Sequence, residues 1–174
     1  MGEFHASSEM PYFIKPSLNL SREDKIAAYE TATESINVIL MGETNRTLKM
    51  VTINCLLKTH LPYFYWVGFY CVANDRLIVG PYQGTLGCLH IPFGKGVCGN
   101  VAQTRKTKIV PDVHALKEGK DHITCDPNSQ SEIVLPVFDK NQELIAVFDV
   151  DSTTTHSFDE IDQRYLEAIL SKHF

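Results

Sequence analysis

The chain has 174 residues, 44% of them hydrophobic, which is enough to bury the core of one globular domain. Its formal net charge is −5 and its lysines and arginines form no basic stripe, which argues against nucleic acid as a partner. No apolar run approaches the roughly 20 residues of a membrane helix, and we do not expect the N-terminus, with Glu3 and no apolar stretch, to be a secretory signal. We therefore expect a cytoplasmic protein, without a membrane partner, whose five cysteines are kept reduced.

The first predicted helix follows an N-terminal segment without helical periodicity. Residues 1–20 contain two prolines, and we interpret them as a tail or arm that precedes a single domain at residues 21–174. Ser21 followed by Asp24 has the pattern of a capping box, which predicts the beginning of a helix. Gly42 is typical of the position just after the end of such a helix.

A second helix is predicted to begin at Asn45. It must end before Pro62, because the residue that precedes a proline avoids the helical conformation. Its buried face is predicted to contain Leu48, Val51, Cys55 and Leu56, which have helical spacing. Cys55 is accordingly interpreted as a core residue without a chemical role.

The rest of the chain alternates between strand patterns and turns. Aromatic and β-branched segments predict strands at Tyr63–Val72, Arg76–Gly80, Cys88–Pro92, Thr107–Val110, Ser131–Phe138 and Leu144–Val150. A short helix is predicted at Val97–Thr104, and Ser157 with Glu160 predicts the cap of a closing helix. This order predicts an α+β fold with a mainly antiparallel central sheet of about six strands. The N- and C-terminal helices would cover one face, and a loop-covered pocket would lie on the other.

The stretch from Cys88 to Glu132 contains three of the five cysteines, each near turn-forming residues or a segment end. Cys98 opens the predicted short helix, whose N-terminus would stabilise a thiolate. Cys125 lies in a long loop beside Asp126, whose negative charge disfavours a thiolate. Such thiols can form a disulfide after one of them is oxidised to sulfenic acid, although loop cysteines without any chemical role are the simpler alternative.

Two other kinds of site are considered in the same stretch. Gly94, Gly96 and Gly99 match the dinucleotide-binding fingerprint literally, but hairpins precede them instead of a parallel βαβ unit. A tight turn that lets the short helix pack closely is the favoured interpretation. The histidines and cysteines show none of the short spacings of structural zinc sites, so we predict no metal and no other cofactor.

Carboxylates lie at the open end of the last predicted hairpin, where its first strand begins and its second strand ends. Asp149 and Asp151 alternate with apolar residues and therefore share one face, and Glu132 lies near them on the partner strand. Carboxylates clustered in a partly dry pocket raise one another's pKa, which provides a proton donor and a site for an ammonium group. An exposed sheet rim is the alternative. The wall of such a pocket is predicted to contain Trp66, Tyr70 and Tyr82.

Seven short motifs connect the chain to a known enzyme family. They are Tyr65–Tyr70 (YWVGFY), Gly80–Gly84 (GPYQG), Phe93–Gly99 (FGKGVCG), Ile109–Val113 (IVPDV), His122–Asp126 (HITCD), Ser131–Pro136 (SEIVLP) and Asp149–Ser152 (DVDS). With these motifs the chain resembles the free methionine-(R)-sulfoxide reductases, which are stand-alone GAF-domain enzymes. The resemblance extends from about Ser21 to the C-terminus.

The resemblance implies reduction of free L-methionine-(R)-sulfoxide to L-methionine by cysteine thiols. A sulfenic acid and an intramolecular disulfide would be intermediates, and thioredoxin would reduce the disulfide. By resemblance, Cys125 attacks the sulfoxide and Cys88 resolves the sulfenic acid, with Cys98 as the alternative in either role. The oligomeric state is left open, with pairing of two copies through their terminal helices as one expectation.

The resemblance also assigns roles in substrate binding. Glu132 would protonate the sulfoxide oxygen, while Asp149 and Asp151 would bind the ammonium group or keep Glu132 protonated. Trp66 would pack against the substrate methyl group. Two alternative hypotheses remain. One is a non-catalytic GAF module that senses a small ligand such as a cyclic nucleotide, and the other is a thiol peroxidase or redox sensor that uses the same cysteines.

Overall fold

A computed structural model of the protein describes residues 18–116 and 126–174. In these ranges the helices are α1 (Arg22–Ile39), α2 (Arg46–His60), α3 (Gly96–Thr104) and α4 (Glu160–His173), with a 3₁₀ turn at Val113–Ala115. The strands are β1 (Trp66–Ala73), β2 (Arg76–Gln83), β3 (His90–Pro92), β4 (Lys108–Val110), β5 (Ser131–Phe138) and β6 (Leu144–Ser152). The predicted tail at residues 1–17 and the predicted attacking residue Cys125 lie outside the described residues.

The six strands form one antiparallel sheet in the order β3-β2-β1-β6-β5-β4. Strands β1 and β6 are neighbours at the centre, so residues distant in sequence meet there. A register shift between β1 and β2 lies opposite Gly80 and Pro81 and marks a β-bulge. The predicted α+β fold with a mainly antiparallel sheet of about six strands is confirmed.

Both faces of the sheet are buried. One face packs against α1, α2 and α4 around large apolar residues such as Tyr29, Ile53, Phe69 and Phe148. The other face packs against α3 and the loops, around Tyr70 and the apolar side of α3. Because successive residues of a strand point to opposite faces, β1 contributes Val67 and Phe69 to the helical side and Trp66 and Tyr70 to the other.

The capping prediction is confirmed for α1 and wrong for α4. The Ser21 side chain accepts a hydrogen bond of 3.1 Å from the Asp24 backbone N–H. In α4, however, Asp159 is the N-cap and forms a capping box with Asp162. Ser157 does not cap the helix. Its hydroxyl group instead donates to the hydroxyl oxygen of Ser152, at the end of β6.

The predicted buried face of α2 is also wrong, except at Leu56, which is partly buried against the core on the helical side of the sheet. Leu48, Val51 and Cys55 are exposed, so Cys55 is not a core residue. Two apolar stripes at helical spacing run along α2, and the periodicity alone could not decide between them. The stripe that faces the sheet consists of Met50, Ile53, Asn54 and Leu57. Asn54 is acceptable there because its side-chain amide donates to the carbonyl oxygen of Pro81 at 2.8 Å.

The glycine-rich turn before α3 is a packing feature, as predicted from the sequence. Gly94 and Gly96 have φ angles of 74° and 62°, in the left-handed region that suits glycine. A side chain on Gly99 would collide with the carbonyl oxygen of Pro92. The turn therefore brings the start of α3 against β3. Within the described residues, no helix is both long and apolar enough to span a membrane.

Candidate active site

A pocket lies between the loop-side face of the sheet and the N-terminal end of α3. It is lined by Trp66, Tyr70, Leu86, Gly87, Ile91, Lys95, Gly96, Val97, Cys98, Asp126, Ser129, Glu132, Asp149 and Asp151. Its volume is about 40 Å³. Pockets for drug-sized ligands occupy roughly 300–1,000 Å³, so this one is small by comparison.

Strand register brings the predicted acidic residues together. Asp151 on β6 is paired with Trp66 on β1 and with Glu132 on β5. Residues directly opposite one another in an antiparallel pair lie on the same face, so the indole and the two carboxylates form a row across three strands. Asp149 lies two residues from Asp151 and points to the same face. The carboxylates are thus part of a pocket, and the alternative of an exposed sheet rim is wrong.

Burial and mutual repulsion raise the pKa values of these carboxyl groups, which makes them weaker acids than ordinary Asp and Glu side chains. Glu132 and Asp149 are each only 6% exposed. Burial, followed by repulsion from Asp149 and Asp151, raises the pKa of Glu132 well above its usual range. Burial raises the pKa of Asp149 to about 7. Burial of the Asp151 carboxyl group and repulsion from Asp149 raise the pKa of Asp151 as well. The pocket can therefore hold a proton at neutral pH.

Cys98 lies in this pocket with properties opposite to those predicted from its position in the chain. It is the third residue of α3, where the helix dipole would favour a thiolate. Its side chain is nevertheless buried, and burial together with the negative charges of Asp149 and Glu132 raises the pKa of the Cys98 thiol well above its usual range. Burial therefore opposes the thiolate that the helix N-terminus would favour at Cys98.

The other described cysteines differ in state. Cys88 is disulfide-bonded, while Cys55, Cys71 and Cys98 are free thiols. Cys88 precedes β3 and is partly buried against the loop-side core that contains Trp66 and Tyr70. Its disulfide departs from the expectation that all five cysteines are reduced.

Two of the three aromatic residues predicted as the pocket wall, Trp66 and Tyr70, line the pocket, and the third, Tyr82, does not. The indole of Trp66 stacks against Tyr70 at a centroid distance of 5.6 Å and against Tyr82 at 5.2 Å. Gly68 lies between Trp66 and Tyr70 on β1, and a side chain at Gly68 would collide with both Tyr82 and the Trp66 ring. Trp66 and Tyr70 line the pocket, whereas Tyr82 lies behind Trp66 and supports it.

Sequence reasoning missed part of the lining. Asp126 was noted only as a neighbour of Cys125, yet its carboxylate lines the pocket and accepts hydrogen bonds from Thr85 and Tyr65. The motif HITCD contained the available signal for it. Leu86 and Gly87, in the connection between β2 and β3, carry no signal that distinguishes them from ordinary loop residues.

One group of side chains in the pocket could hold a cation. Ligand atoms of Cys98, Glu132 and Asp149 all lie within 4.8 Å of one another. The Oδ1 atom of Asp149 is buried and has no hydrogen-bond partner among the described residues. Spacing rules could not reveal this group, because its members come from α3, β5 and β6. An ammonium group, a proton or a metal ion could each balance its negative charge.

Comparisons with known proteins give the chain relatives over most of its length. The sequence profile of the GAF domain matches residues 57–172. GAF domain-containing protein A of Dictyostelium discoideum is 42% identical over 154 residues, 88% of this chain and 94% of that protein. Free methionine-R-sulfoxide reductase of Escherichia coli (strain K12) is 36% identical over 149 residues, 86% of this chain and 88% of that enzyme.

A solved structure agrees with these sequence relatives. The X-ray structure of free methionine-R-sulfoxide reductase from Neisseria meningitidis, in complex with its substrate, superposes with a TM-score of 0.79. The two sequences are 38% identical, and the match covers 92% of this chain and 96% of that one.

Proposed function

Because the chain belongs to the free methionine-R-sulfoxide reductase family of GAF domains, we propose that it reduces free L-methionine-(R)-sulfoxide to L-methionine. The observation that carries this proposal is the pocket itself. Three carboxyl groups with raised pKa values lie beside the stacked indole of Trp66, in a space suited to a small cationic molecule. A single amino acid with a sulfoxide side chain matches both features.

In the proposed first step, the thiolate of Cys125 attacks the sulfoxide sulfur while Glu132 donates a proton to the sulfoxide oxygen. The oxygen is transferred to the cysteine, so the sulfoxide is reduced by two electrons to a thioether and the thiol is oxidised to a sulfenic acid. The raised pKa of Glu132 supports its role, because a carboxyl group that is still protonated near neutral pH can act as a general acid.

In the proposed second step, the thiol of Cys88 attacks the sulfenic sulfur of Cys125. The S–S bond forms, the S–O bond breaks, and the hydroxyl group leaves as water with the thiol proton. The disulfide-bonded state of Cys88 supports this assignment, and none of the free thiols Cys55, Cys71 and Cys98 can be its partner. We propose that thioredoxin, a cytoplasmic dithiol protein, returns both cysteines to thiols.

The same pocket accounts for a preference for the free amino acid. In the proposal, Asp149 and Asp151 bind the α-ammonium group of the substrate, which would relieve the repulsion between their carboxylates. A methionine sulfoxide residue within a polypeptide lacks this ammonium group. The indole of Trp66 would pack against the methyl group, since its face is apolar and fixed by Tyr70 and Tyr82.

The acidic pocket argues against the alternative of a cyclic-nucleotide sensor. A phosphate group would face Glu132, Asp149 and Asp151, and the positively charged residue that lines the pocket is Lys95 alone among the described residues. Repulsion between like charges would therefore weaken nucleotide binding. No described feature of the pocket favours peroxide over sulfoxide.

Cysteine variants test the proposed chemistry. With free methionine-(R)-sulfoxide and dithiothreitol, Cys125→Ser is expected to abolish methionine formation, whereas Cys98→Ser is expected to keep most of it. Cys88→Ser is expected to form one equivalent of methionine and then to depend on the external thiol. Cys55→Ser changes an exposed thiol on α2 and serves as the matched control.

Retained turnover in Cys125→Ser would remove that residue from the attacking role. Peptide mapping after one equivalent of substrate, without reductant, is expected to find Cys88 joined to Cys125. A bond between Cys98 and Cys125 would instead make Cys98 the resolving residue.

We also propose that two copies of the chain pair through their terminal helices. Val38, Ile39 and Met41 at the end of α1 are large apolar side chains that are more than half exposed, which supports an interface there. Analytical ultracentrifugation is expected to show a dimer that Met41→Lys dissociates. A monomer at all concentrations would contradict this proposal.

A further inference from the structure

Asp126 connects three segments of the chain through its side chain. Its carboxylate accepts hydrogen bonds from the Thr85 hydroxyl, from the Tyr65 hydroxyl at 2.9 Å, and from the Asn128 backbone N–H at 2.8 Å. Thr85 lies between β2 and β3, and Tyr65 lies just before β1. The contacts therefore bring the chain that follows residue 125 against the connection between β2 and β3.

That connection is itself packed on the wall of the pocket. The indole N–H of Trp66 donates to the backbone carbonyl oxygen of Thr85 at 3.0 Å. Gly84 and Gly87 approach the Trp66 ring so closely that a side chain on either would contact it. Thr85 thus binds Trp66 through its backbone and Asp126 through its side chain.

The two residues that form this hydrogen bond are close in sequence to the two cysteines of the proposed disulfide. Thr85 is three residues before Cys88, and Asp126 directly follows Cys125. We propose that Thr85 is a positioning residue, whose hydrogen bond to Asp126 holds the segments that carry Cys88 and Cys125 together for disulfide formation. The inference rests on the proposed function for the identity of the two cysteines, and it adds a residue outside the acidic pocket.

The charge of Asp126 fits this role. Partial burial acts to raise its pKa, but hydrogen bonds from Thr85, from Asn128 and from Tyr65 together hold the pKa of Asp126 below its usual range. The group is therefore a carboxylate at neutral pH, and a hydrogen bond to a charged acceptor is stronger than one between neutral groups. The Thr85 hydroxyl is the donor, and valine is nearly isosteric with threonine but lacks it.

The positioning role concerns the second chemical step. The Cys88 thiol attacks the Cys125 sulfenic sulfur, forming the S–S bond, and the oxygen leaves as water with the thiol proton. Holding the two segments together raises the effective concentration of one cysteine at the other. Reduction of the sulfoxide precedes this step and does not require Cys88.

The first test needs no sulfoxide. The protein is equilibrated in glutathione redox buffers, and the fraction of Cys88 in the disulfide is measured by alkylation and mass spectrometry. Thr85→Val is expected to lower the equilibrium constant for the disulfide about tenfold, which corresponds to the loss of one hydrogen bond to a charged group. Thr85→Ser keeps the hydroxyl and is expected to restore the wild-type value.

The second test separates the two chemical steps. After one equivalent of free methionine-(R)-sulfoxide, Thr85→Val is expected to form methionine at the wild-type rate but to form the disulfide about tenfold more slowly. The sulfenic acid then accumulates and can be trapped with dimedone. Thr107→Val is the matched control, because the Thr107 hydroxyl also donates to a carboxylate, that of Glu167, far from the pocket.

Two results would overturn the positioning role. One is a Thr85→Val protein whose disulfide equilibrium and rate equal those of the wild type. The other is a Thr85→Ser protein that is as impaired as Thr85→Val. If Thr85→Val does not fold, Thr85→Ala replaces it and is expected to change both measurements in the same direction. If the wild type forms no methionine, the proposed function fails, while the glutathione equilibrium still tests the contact.

Discussion

At the scale of single residues, the chemistry of the pocket depends on cross-strand neighbours. Alternation along β6 was enough to place Asp149 and Asp151 on one face, so this part of the site could be predicted from the sequence. The pairing of Asp151 with both Glu132 and Trp66 could not, because register between distant strands is decided by the packing of the whole sheet.

The proton donor is the residue whose loss should affect catalysis most selectively. Glu132→Gln keeps the size of the side chain but cannot donate a carboxyl proton, so kcat is expected to fall roughly 10²- to 10⁴-fold while KM changes less. Steady-state assays with the free (R)-sulfoxide measure both. Glu143→Gln, in the hairpin between β5 and β6, is the control and should leave kcat unchanged. An unchanged kcat in Glu132→Gln would show that another group supplies the proton.

Cys98 shows where reasoning from a single residue fails. Its place at the start of α3 predicted a stabilised thiolate, yet the side chain is buried beside Asp149 and Glu132. Its neighbours come from β5 and β6, which follow α3 by several elements in the chain. A pKa depends on this three-dimensional environment, so a local pattern could not predict it.

At the scale of elements, the sequence predicted the helices and strands well and their orientation less well. The starts of α1 and α2 follow from Ser21 and Asn45, whose side chains accept from backbone N–H groups in the first turn. The buried face of α2 was predicted wrongly because both of its stripes are apolar. Tertiary contact with β2, through Asn54, decided between them.

The contact between α1 and α4 contains a buried ion pair that the sequence did not indicate. The Lys25 ammonium group lies 2.7 Å from the Asp162 carboxylate, and both side chains are almost fully buried. The other oxygen of Asp162 accepts from the hydroxyls of Tyr29 and Tyr63 at 2.8 and 2.6 Å. Each polar group in this cluster is thus compensated by another, which links the first helix to the last.

Replacing Asp162 in this buried cluster is expected to lower the free energy of unfolding. Asp162→Asn leaves the Lys25 charge buried without its main partner, so we expect a loss of about 3–5 kcal/mol in the free energy of unfolding. Urea denaturation measures it. Glu160→Gln is the control, because Glu160 forms an exposed ion pair with Arg22 between the same two helices and should have almost no effect. Equal effects of the two variants would contradict the account of this contact.

At the scale of the whole molecule, the acidic pocket makes folding sensitive to pH. Below about pH 4 a carboxyl group is protonated in both the folded and the unfolded chain, so it makes no difference to stability. As the pH rises from there, Asp149 ionises in the unfolded chain but stays protonated in the folded one, until the pH passes its folded pKa of about 7. The pocket therefore lowers stability progressively across this range.

The variant Asp149→Asn separates the contribution of Asp149 to the pH dependence of stability from the contributions of the other titrating groups. Asp149→Asn removes one ionisable group and its repulsion of Glu132 and Asp151. Its gain in Tm over the wild type is expected to grow as the pH rises from 4 to about 7 and then to level off. Thermal melts of both proteins across this range provide the measurement. A difference in Tm that is independent of pH would mean that the Asp149 carboxyl group titrates alike in the folded and unfolded chain.

The most direct test of the central claim is a comparison of substrates. The wild-type protein, with dithiothreitol, is given free methionine-(R)-sulfoxide, the free (S) epimer, and the (R) epimer with its amino group acetylated. We expect methionine to form from the free (R) epimer and the other two compounds to react at least tenfold more slowly, because the proposed pocket binds an ammonium group in one orientation. Equal rates with the acetylated compound, or no reaction with the free (R) epimer, would contradict it.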